Sequence, residues 1–155
     1  MNIRQDMKKF NLNYFFIFIV ISFALHIVWE NLQAPLYAGF ASFTGHFPMC
    51  FLATVWDVII SVGALLFVNL LKQTSSTKLN KNDFIALAIA GFVIAVVIER
   101  NALLAGKWSY NSAMPLMPYF RVGLTPVLQM TLLLPLSFYF AQKLAGLKNL
   151  IDKFR

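Results

Sequence analysis

Charged residues are scarce in this sequence. Only 12% of the 155 residues are Asp, Glu, Lys or Arg, whereas soluble domains carry about 25%. The mean hydropathy is +0.70, and 59% of the residues are hydrophobic. This composition excludes an intrinsically disordered chain and an ordinary soluble enzyme, because both need far more polar surface. Length and composition together predict a single membrane domain that covers residues 1–155.

Cysteine is rarer still, since Cys50 is the only one in the chain. A single cysteine forms no intrachain disulfide, which excludes a disulfide-stapled secreted scaffold. The sequence also lacks a P-loop, a GxGxxG fingerprint, an HExxH pair and a nucleophile elbow. These missing motifs give no reason to expect a bound nucleotide, and we predict no cofactor and no metal.

Long apolar runs dominate what is present. Four of them are long enough for a helix that crosses a bilayer, which takes roughly 20 residues. Their approximate bounds are 13–33, 50–71, 84–105 and 122–143. A backbone in lipid must satisfy its own hydrogen bonds, and these runs lack the alternation of a barrel strand. The predicted fold is therefore an all-α integral membrane bundle of four transmembrane helices, with Asn82 or Asp83 capping the third.

The basic residues beside these runs predict the orientation of the bundle. Two of them, Lys107 and Arg121, flank one side. The other side carries Arg4, Lys8, Lys9, Lys72, Lys78, Lys81, Lys143, Lys148, Lys153 and Arg155. Because cytoplasmic flanks hold the excess of Lys and Arg, both termini are predicted to be cytoplasmic. We expect a multi-pass protein of a bacterial inner (plasma) membrane, with the lipid bilayer as its partner. These clusters beside the apolar runs account for the net charge of +7. They are typical of membrane orientation and not of a nucleic-acid-binding face, so no nucleic-acid partner is predicted.

Six polar or ionisable side chains interrupt the predicted spans. They are His26, Glu30, Asp57, Glu99, Arg100 and Gln129. Ionisable residues inside a span are costly and by default mark function. Counting 1.5 Å per residue from each predicted midpoint places the three carboxylates, the histidine and the glutamine in one layer. The sequence thus predicts an intramembrane carboxylate site in the outer half of the bilayer.

The chemistry of neighbouring carboxyl groups suggests what this layer does. In a medium of low dielectric two carboxyls do not both ionise freely, so one becomes a proton donor. We assign Glu99, Asp57 and Glu30 as candidate catalytic residues. Candidate substrate contacts are His26, Trp29, Arg100, Trp108, Tyr110 and Gln129. Aromatic faces stabilise a cation, and the pattern favours acid–base chemistry on a hydrophobic small molecule such as a lipid or an isoprenoid.

Other interpretations of the same residues remain open, including whether the chain is an enzyme. Arg100 pairs with Asp57 or Glu99 in a purely structural network, or it reaches outward to lipid headgroups. Alternatively, the carboxylates belong to a transporter subunit or a membrane assembly partner. Four spans are few for a transporter that acts as a monomer, so that role needs a homo-oligomer or another protein.

A metal site is a further alternative. His26 and Glu30 lie at i, i+4 on one helix face, where they are able to hold one ion. Thiol and thioether ligands suit copper(I). Candidates for such ligands, together with a histidine, are His46, Met49, Cys50, Met114 and Met117.

The two connections predicted on the outer side, 34–49 and 106–121, are apolar and aromatic. Solvated loops are polar, so these segments either lie in the membrane interface or fold over the bundle as a lid. We expect a ligand to reach the carboxylates from the outer leaflet or the periplasmic face, between the two connections.

Three strings resemble a pattern in small uncharacterised bacterial multispanning membrane proteins: HIVWENLQAPLY, ERNALLAGKWSYNSAMP and GLTPVLQM. More distantly, an acidic residue followed by G-x-W-x-Y and a Pro-led segment is similar to the lycopene cyclase domain of carotenoid biosynthesis. That resemblance covers residues 99–129 and implies an intramembrane acid site at Glu99, Trp108 and Tyr110. The paired acids that follow the proline in that family are absent here, so the resemblance does not extend to cyclisation.

Overall fold

A computed structural model describes residues 12–72 and 79–153. Four long helices occupy most of them: α1 (Leu12–Gln33), α2 (Phe43–Lys72), α3 (Lys81–Leu104) and α4 (Leu124–Lys153). A 3₁₀ turn at Ala34–Leu36 directly follows α1. All four helices are long and apolar enough to cross a membrane. The predicted class, an all-α membrane bundle of four helices, is confirmed.

The second helix begins at Phe43 rather than near Cys50. The Ser42 hydroxyl accepts a hydrogen bond from the Gly45 amide at 3.1 Å, which is the contact of an N-cap. The hydropathy of the segment is low around Gly45 and His46, so counting apolar residues placed the helix start too late. The middle of α2 therefore falls near Asp57 rather than beyond it.

The third helix begins with a reciprocal cap. The Asn80 side chain accepts from the Asp83 amide at 3.0 Å, and the Asp83 carboxylate accepts from the Asn80 amide at 2.7 Å. Asn80 is thus the capping residue, and the predicted cap at Asn82 or Asp83 was wrong. Asp83 takes part as the third helical residue, which is the acidic position of a capping box.

The helices pack in the order α2–α1–α4–α3. Helix α1 packs against α2 and α4, and α3 packs against α4, whereas α2 and α3 make at most marginal contact. At one end, rings of Phe18 and Phe138 meet at 4.8 Å between centroids. We call this the terminal end, because α1 begins and α4 ends there. The opposite end, which carries the connections 34–42 and 105–123, is called the loop end.

One glycine allows α3 to lie close to α4. A Cβ atom at Gly91 would approach the Met130 carbonyl oxygen to 2.4 Å, which is far inside contact distance. Further along the same face of α3, at spacings of three or four residues, Ala95, Glu99 and Ala102 are also buried. Small residues on one face let membrane helices approach closely, and this face is how Glu99 comes to point into the bundle.

The two connections at the loop end are hydrogen-bonded to each other. Tyr37 and Tyr110 form an antiparallel bridge, and the Ala38 amide donates to the Ser109 carbonyl at 2.9 Å. The Asn111 amide donates to the Leu36 carbonyl at 3.0 Å. The connections thus fold over this end of the bundle as one layer instead of diverging into solvent.

Several of the basic residues that predict the orientation lie outside the part of the chain that the structure describes. They are Arg4, Lys8, Lys9, Lys78 and Arg155. The cytoplasmic location of both termini stays a prediction.

Candidate functional site

Gln129 lies at the centre of a buried polar cluster. Its side chain projects from α4 and is only 2% exposed. The amide nitrogen Nε2 is 2.7 Å from Asp57 Oδ2 on α2 and 2.9 Å from Glu30 Oε1 on α1. It is also 3.1 Å from Nδ1 of His26, a residue that is fully buried. One side chain therefore connects three helices.

Gln33 determines which way the Gln129 amide points. The Gln33 nitrogen donates to Gln129 Oε1 at 2.8 Å and to Glu30 Oε1 at 3.1 Å. Its own oxygen accepts from the Trp29 indole at 3.3 Å. If the Gln129 amide were flipped, its oxygen would face two carboxyl groups and its nitrogen would face a donor. The network therefore assigns the nitrogen to the carboxyl side.

The cluster needs a proton besides those of the amide. An amide nitrogen carries two hydrogens, yet Gln129 Nε2 lies within 3.1 Å of two carboxyl oxygens and of His26 Nδ1, which donates or accepts according to the histidine tautomer. His26 Nδ1 is also 3.2 Å from Asp57 Oδ2, and the Glu30 carboxyl faces the Asp57 carboxyl. At least one of these groups must carry a proton of its own for every contact to be favourable.

Glu99 has a different environment. Its Oε2 accepts hydrogen bonds from the Trp108 indole at 3.2 Å and from the Tyr110 hydroxyl. Two donors on one oxygen stabilise an ionised carboxylate. Both donors come from the connection that follows α3, so the segment after Gly106 folds back onto the helix that precedes it.

Tyr110 is held in place on its other side by the residue that precedes α4. Its hydroxyl oxygen accepts from the Gly123 amide at 2.9 Å. A Cβ atom at Gly123 would approach the Tyr110 ring to 3.0 Å, so the absence of a side chain there makes room for the ring. Burial, and next the hydrogen bond to Glu99, raise the pKa of Tyr110 above its usual range. The hydroxyl therefore stays protonated and keeps donating to Glu99.

Both groups of carboxyls border one cavity of about 1040 Å³. Its walls include all three of the carboxyl residues, Glu30, Asp57 and Glu99, together with Gln129, Trp56 and Trp108. Ligand pockets typically enclose about 300–1,000 Å³, so the space is ample for a lipid-sized molecule. A gap between α2 and α3 adjoins this cavity, because those two helices hardly touch.

The carboxyl groups have almost no basic partners. Among the side chains that the structure describes, His26 beside Asp57 is the only basic group within ion-pair distance of Glu30, Asp57 or Glu99. Arg100 is exposed and does not line the cavity. The structural network in which Arg100 pairs with Asp57 or Glu99 is therefore not formed.

The structure brings most of the predicted site residues together. His26, Glu30, Asp57 and Gln129 form the first cluster, with Trp29 linked to it through Gln33. The second cluster contains Glu99, Trp108 and Tyr110. Arg100 belongs to neither cluster, so its role as a substrate contact stays a prediction.

Two residues of the site were not among the predicted contacts. Gln33 lies on the same helix face as Trp29 and Glu30, and that spacing was the available signal. Trp56 lines the cavity although its side chain is 59% exposed. Its neighbour Asp57 drew attention to α2, but sequence alone does not show that α2 faces a gap.

The residues considered for a metal are only partly assembled. No three side chains of the types His, Cys, Asp and Glu form a metal-binding group within the described ranges. His46, Met49 and Cys50 do line the cavity. Met114 is buried elsewhere, where its sulfur contacts the Thr125 hydroxyl at 3.3 Å. The copper(I) set therefore does not converge on one point.

Three buried polar atoms near the first cluster have no hydrogen-bond partner: His26 Nε2, Ser22 Oγ and Ser61 Oγ. Ser22 is one turn from His26 on α1, and Ser61 is one turn from Asp57 on α2. Both turns lie toward the terminal end. Buried polar side chains thus continue from the cluster along the interface between α1 and α2.

The expected access route between the two connections stays a prediction. The connections are joined by backbone hydrogen bonds at Ala38 and Ser109, and residues of both, including Ala38 and Lys107, line the cavity. A second gap in the bundle lies between α2 and α3.

Comparisons with family models, with curated proteins and with solved structures give no match to this chain. What the fold establishes is a multi-pass membrane protein of four helices.

Proposed function

We propose that this protein is a membrane enzyme that carries out acid–base chemistry on a hydrophobic lipid or isoprenoid. The catalytic groups are Glu99, Asp57 and Glu30. One observation carries the proposal: carboxyl groups with different neighbours border a single cavity, since Glu30 and Asp57 face each other beside Gln129 whereas Glu99 bonds to Trp108 and Tyr110. Paired titratable groups in contrasting environments are how one site supplies both an acid and a base.

The neighbours of each carboxyl group divide the roles. Glu99 bonds to Trp108 and Tyr110, which both donate to it, and acts as the ionised base. The pair of Glu30 and Asp57 holds a shared proton next to Gln129 and acts as the acid. Gln129 and His26 position this acidic pair and do not themselves transfer the proton.

The reaction class that balances without a further reagent is the isomerisation of a carbon–carbon double bond. The acid pair adds a proton to one alkene carbon, and the neighbouring carbon becomes a carbocation. Glu99 then removes a proton from the carbon on the far side, and the double bond reforms one position along. One proton enters the substrate and one leaves, and the proton on Glu99 returns to the acid pair between turnovers.

Aromatic rings at the cavity suit the cationic intermediate. Trp56 and Trp108 both line the cavity that the acid and the base border. The face of an indole ring attracts a cation, more strongly where water is excluded. A carbocation between these rings is thus stabilised by the rings and by the Glu99 carboxylate.

The scarcity of basic partners supports catalysis over a structural role for the charges. Structural carboxylates inside a membrane are normally paired with a base. Here neither Glu30 nor Glu99 contacts Lys or Arg in the described part of the chain. A non-enzymatic transporter subunit or assembly partner remains the competing assignment, and abundance measurements separate it from the enzyme.

The test is lipid profiling of cells that express the wild type, Glu99→Gln or no protein. We expect one hydrophobic lipid to change its double-bond position only with the wild type. Glu99→Gln should remain in the membrane at normal abundance, because it removes an unpaired charge. Asn101→Ala is the matched control, since Asn101 is exposed on another face of α3 and should leave the profile unchanged. Loss of the Glu99→Gln protein from the membrane would instead favour a structural role.

The location belongs to the same proposal. The excess of Lys and Arg on one side supports a bacterial inner membrane with both termini in the cytoplasm. In that orientation the loop end faces outward, and the carboxyl clusters lie in the outer half of the bilayer.

A further inference from the structure

A second cavity of about 640 Å³ lies between α2 and α3, nearer the terminal end than the carboxyl clusters. Small residues face it from both helices: Gly63 and Ala64 on α2, and Ala86 and Ala90 on α3. Small residues usually let membrane helices close on each other. These two helices remain apart, so the cavity is a groove with two small-residue walls.

The groove adjoins the carboxylate cavity at Ile60, which lines both spaces. The character of the walls changes from carboxyl, amide and indole groups near Asp57 to mainly aliphatic and aromatic carbon near Phe67 and Val68, with Asp83 at the start of α3. The two adjacent cavities thus offer a strongly polar part near Asp57 and a mainly apolar part between α2 and α3.

The apolar part of the cavity is about as long as one leaflet of the bilayer's hydrocarbon core is thick. From Asp57 to Val68 the helix rises about 16 Å. Half of a hydrocarbon core of about 30 Å is roughly the same distance. A single chain with its polar end at Asp57 therefore fits within the groove.

The charge of the polar end selects a cation. Three carboxyl residues border it, and among the described side chains His26 is the one base that contacts any of them. Lys107 and His46 also line the cavity, but both come from its loop-end rim. A positive group at the level of Asp57 and Glu99 thus gains attraction that water does not screen well.

We propose that the two adjacent cavities bind a single-chain amphiphile, with its positive end among Glu30, Asp57 and Glu99 and its chain between α2 and α3. The ligand reaches this position sideways from the membrane through the α2–α3 gap. The inference rests on the proposed function, in which the positive centre is a carbocation formed during turnover. A long-chain amine carries that charge permanently and is therefore the probe of choice.

The experiment is a titration of the purified full chain in phosphatidylcholine nanodiscs, read by tryptophan fluorescence. All three tryptophans are suitable reporters: Trp56 and Trp108 line the cavity, and Trp29 bonds to Gln33. The probes are octadecylamine, octadecanol and octylamine. Octadecylamine should bind at least about tenfold more tightly than octadecanol, because only the amine carries a charge.

Variants separate the contribution of the ligand's hydrocarbon chain to binding from the contribution of its charge. Gly63→Leu fills the groove from α2 and should weaken octadecylamine binding about tenfold while sparing octylamine. Ala90→Leu does the same from α3 and covers the case in which the first variant fails to fold. Ala24→Leu, an exposed position on α1, is the control and should change nothing. Asp57→Asn should weaken both amines and leave octadecanol unaffected.

Two results would overturn the inference. One is equal binding of octadecanol and octadecylamine, which would leave no role for the carboxyl groups. The other is a stable dimer that Gly63→Leu disrupts, since a second copy of the chain would then occupy the groove. Amine binding needs no turnover, so normal binding with an unaltered lipid profile would refute the proposed reaction and keep the binding site.

Discussion

Gln129 Nε2 lies 2.7 Å from Asp57 Oδ2, and this contact joins α4 to α2 inside the bundle. The same nitrogen reaches Glu30 on α1 at 2.9 Å. A neutral amide is a suitable group for this position, because it donates to two carboxyls without bringing a second charge. Gln129 thus stabilises the arrangement of Glu30 and Asp57.

The first prediction concerns the stability that this amide confers. Gln129→Leu leaves Glu30, Asp57 and the Gln33 amide without their common partner, and each buried group left unpaired costs about 1–3 kcal/mol. We expect a fall of at least that size in the free energy of unfolding, measured by denaturant titration in detergent micelles. Gln142→Leu is the matched control on the same helix. Its amide nitrogen has no partner, so its replacement should not destabilise the protein.

The second prediction concerns the close approach of α3 and α4. Gly91→Ala places a methyl group 2.4 Å from the Met130 carbonyl oxygen. The two backbones must separate, and we expect a loss of about 1–3 kcal/mol. Gly63→Ala provides the comparison, because its Cβ meets nothing within 4 Å. Alanine favours a helix over glycine by about 1 kcal/mol, so Gly63→Ala should be neutral or stabilising. Equal melting temperatures for the two variants would contradict the packing described.

The third prediction concerns the pairing of the two connections. Ala38 and Ser109 are neighbours across the bridge between Tyr37 and Tyr110. Residues opposite one another in an antiparallel pair have Cα atoms about 4.5–5.5 Å apart, which suits a disulfide. We expect Ala38→Cys with Ser109→Cys, in a Cys50→Ser background, to cross-link rapidly under mild oxidation on a non-reducing gel.

Ala38→Cys with Ser112→Cys is the control for that experiment. Ser112 is exposed on the same connection but is not opposite Ala38. Similar cross-linking of both pairs would mean that the connections are not held in register.

The fourth prediction concerns orientation. Because Lys and Arg accumulate beside the terminal end, a C-terminal alkaline phosphatase fusion should be inactive and a C-terminal fluorescent fusion should be bright. A phosphatase fusion within the 105–123 connection should be active. The reverse pattern would put the loop end in the cytoplasm, with the carboxyl clusters in the inner half of the bilayer.

Much of the site could be predicted because membranes make polar residues conspicuous. Glu30, Asp57 and Glu99 stand out in apolar runs. Arg100 was conspicuous for the same reason, yet it is exposed. A long basic side chain is able to reach the interface from within a span, and its sequence position does not reveal which way it points.

Helix starts were harder to predict than helix interiors. The cap at Asn80 and the early start of α2 at Ser42 depend on single side-chain hydrogen bonds. Hydropathy averages over many residues and is blind to such contacts. Gln33 was missed as part of the site for a related reason, since a glutamine at a helix end is ordinary until its partner on another helix is known.

By itself, the sequence determined that this chain crosses a membrane four times, because only helices satisfy the backbone in lipid and four runs are long enough. It also predicted that Glu30, Asp57 and Glu99 lie within the spans. Only the tertiary structure decided the order α2–α1–α4–α3 and the gap between α2 and α3. Residue spacing defines the faces of each helix, whereas the neighbour of each face depends on packing between segments far apart in the chain. That packing separates an acidic pair beside Gln129 from a hydrogen-bonded carboxylate at Glu99, and it places both on one cavity.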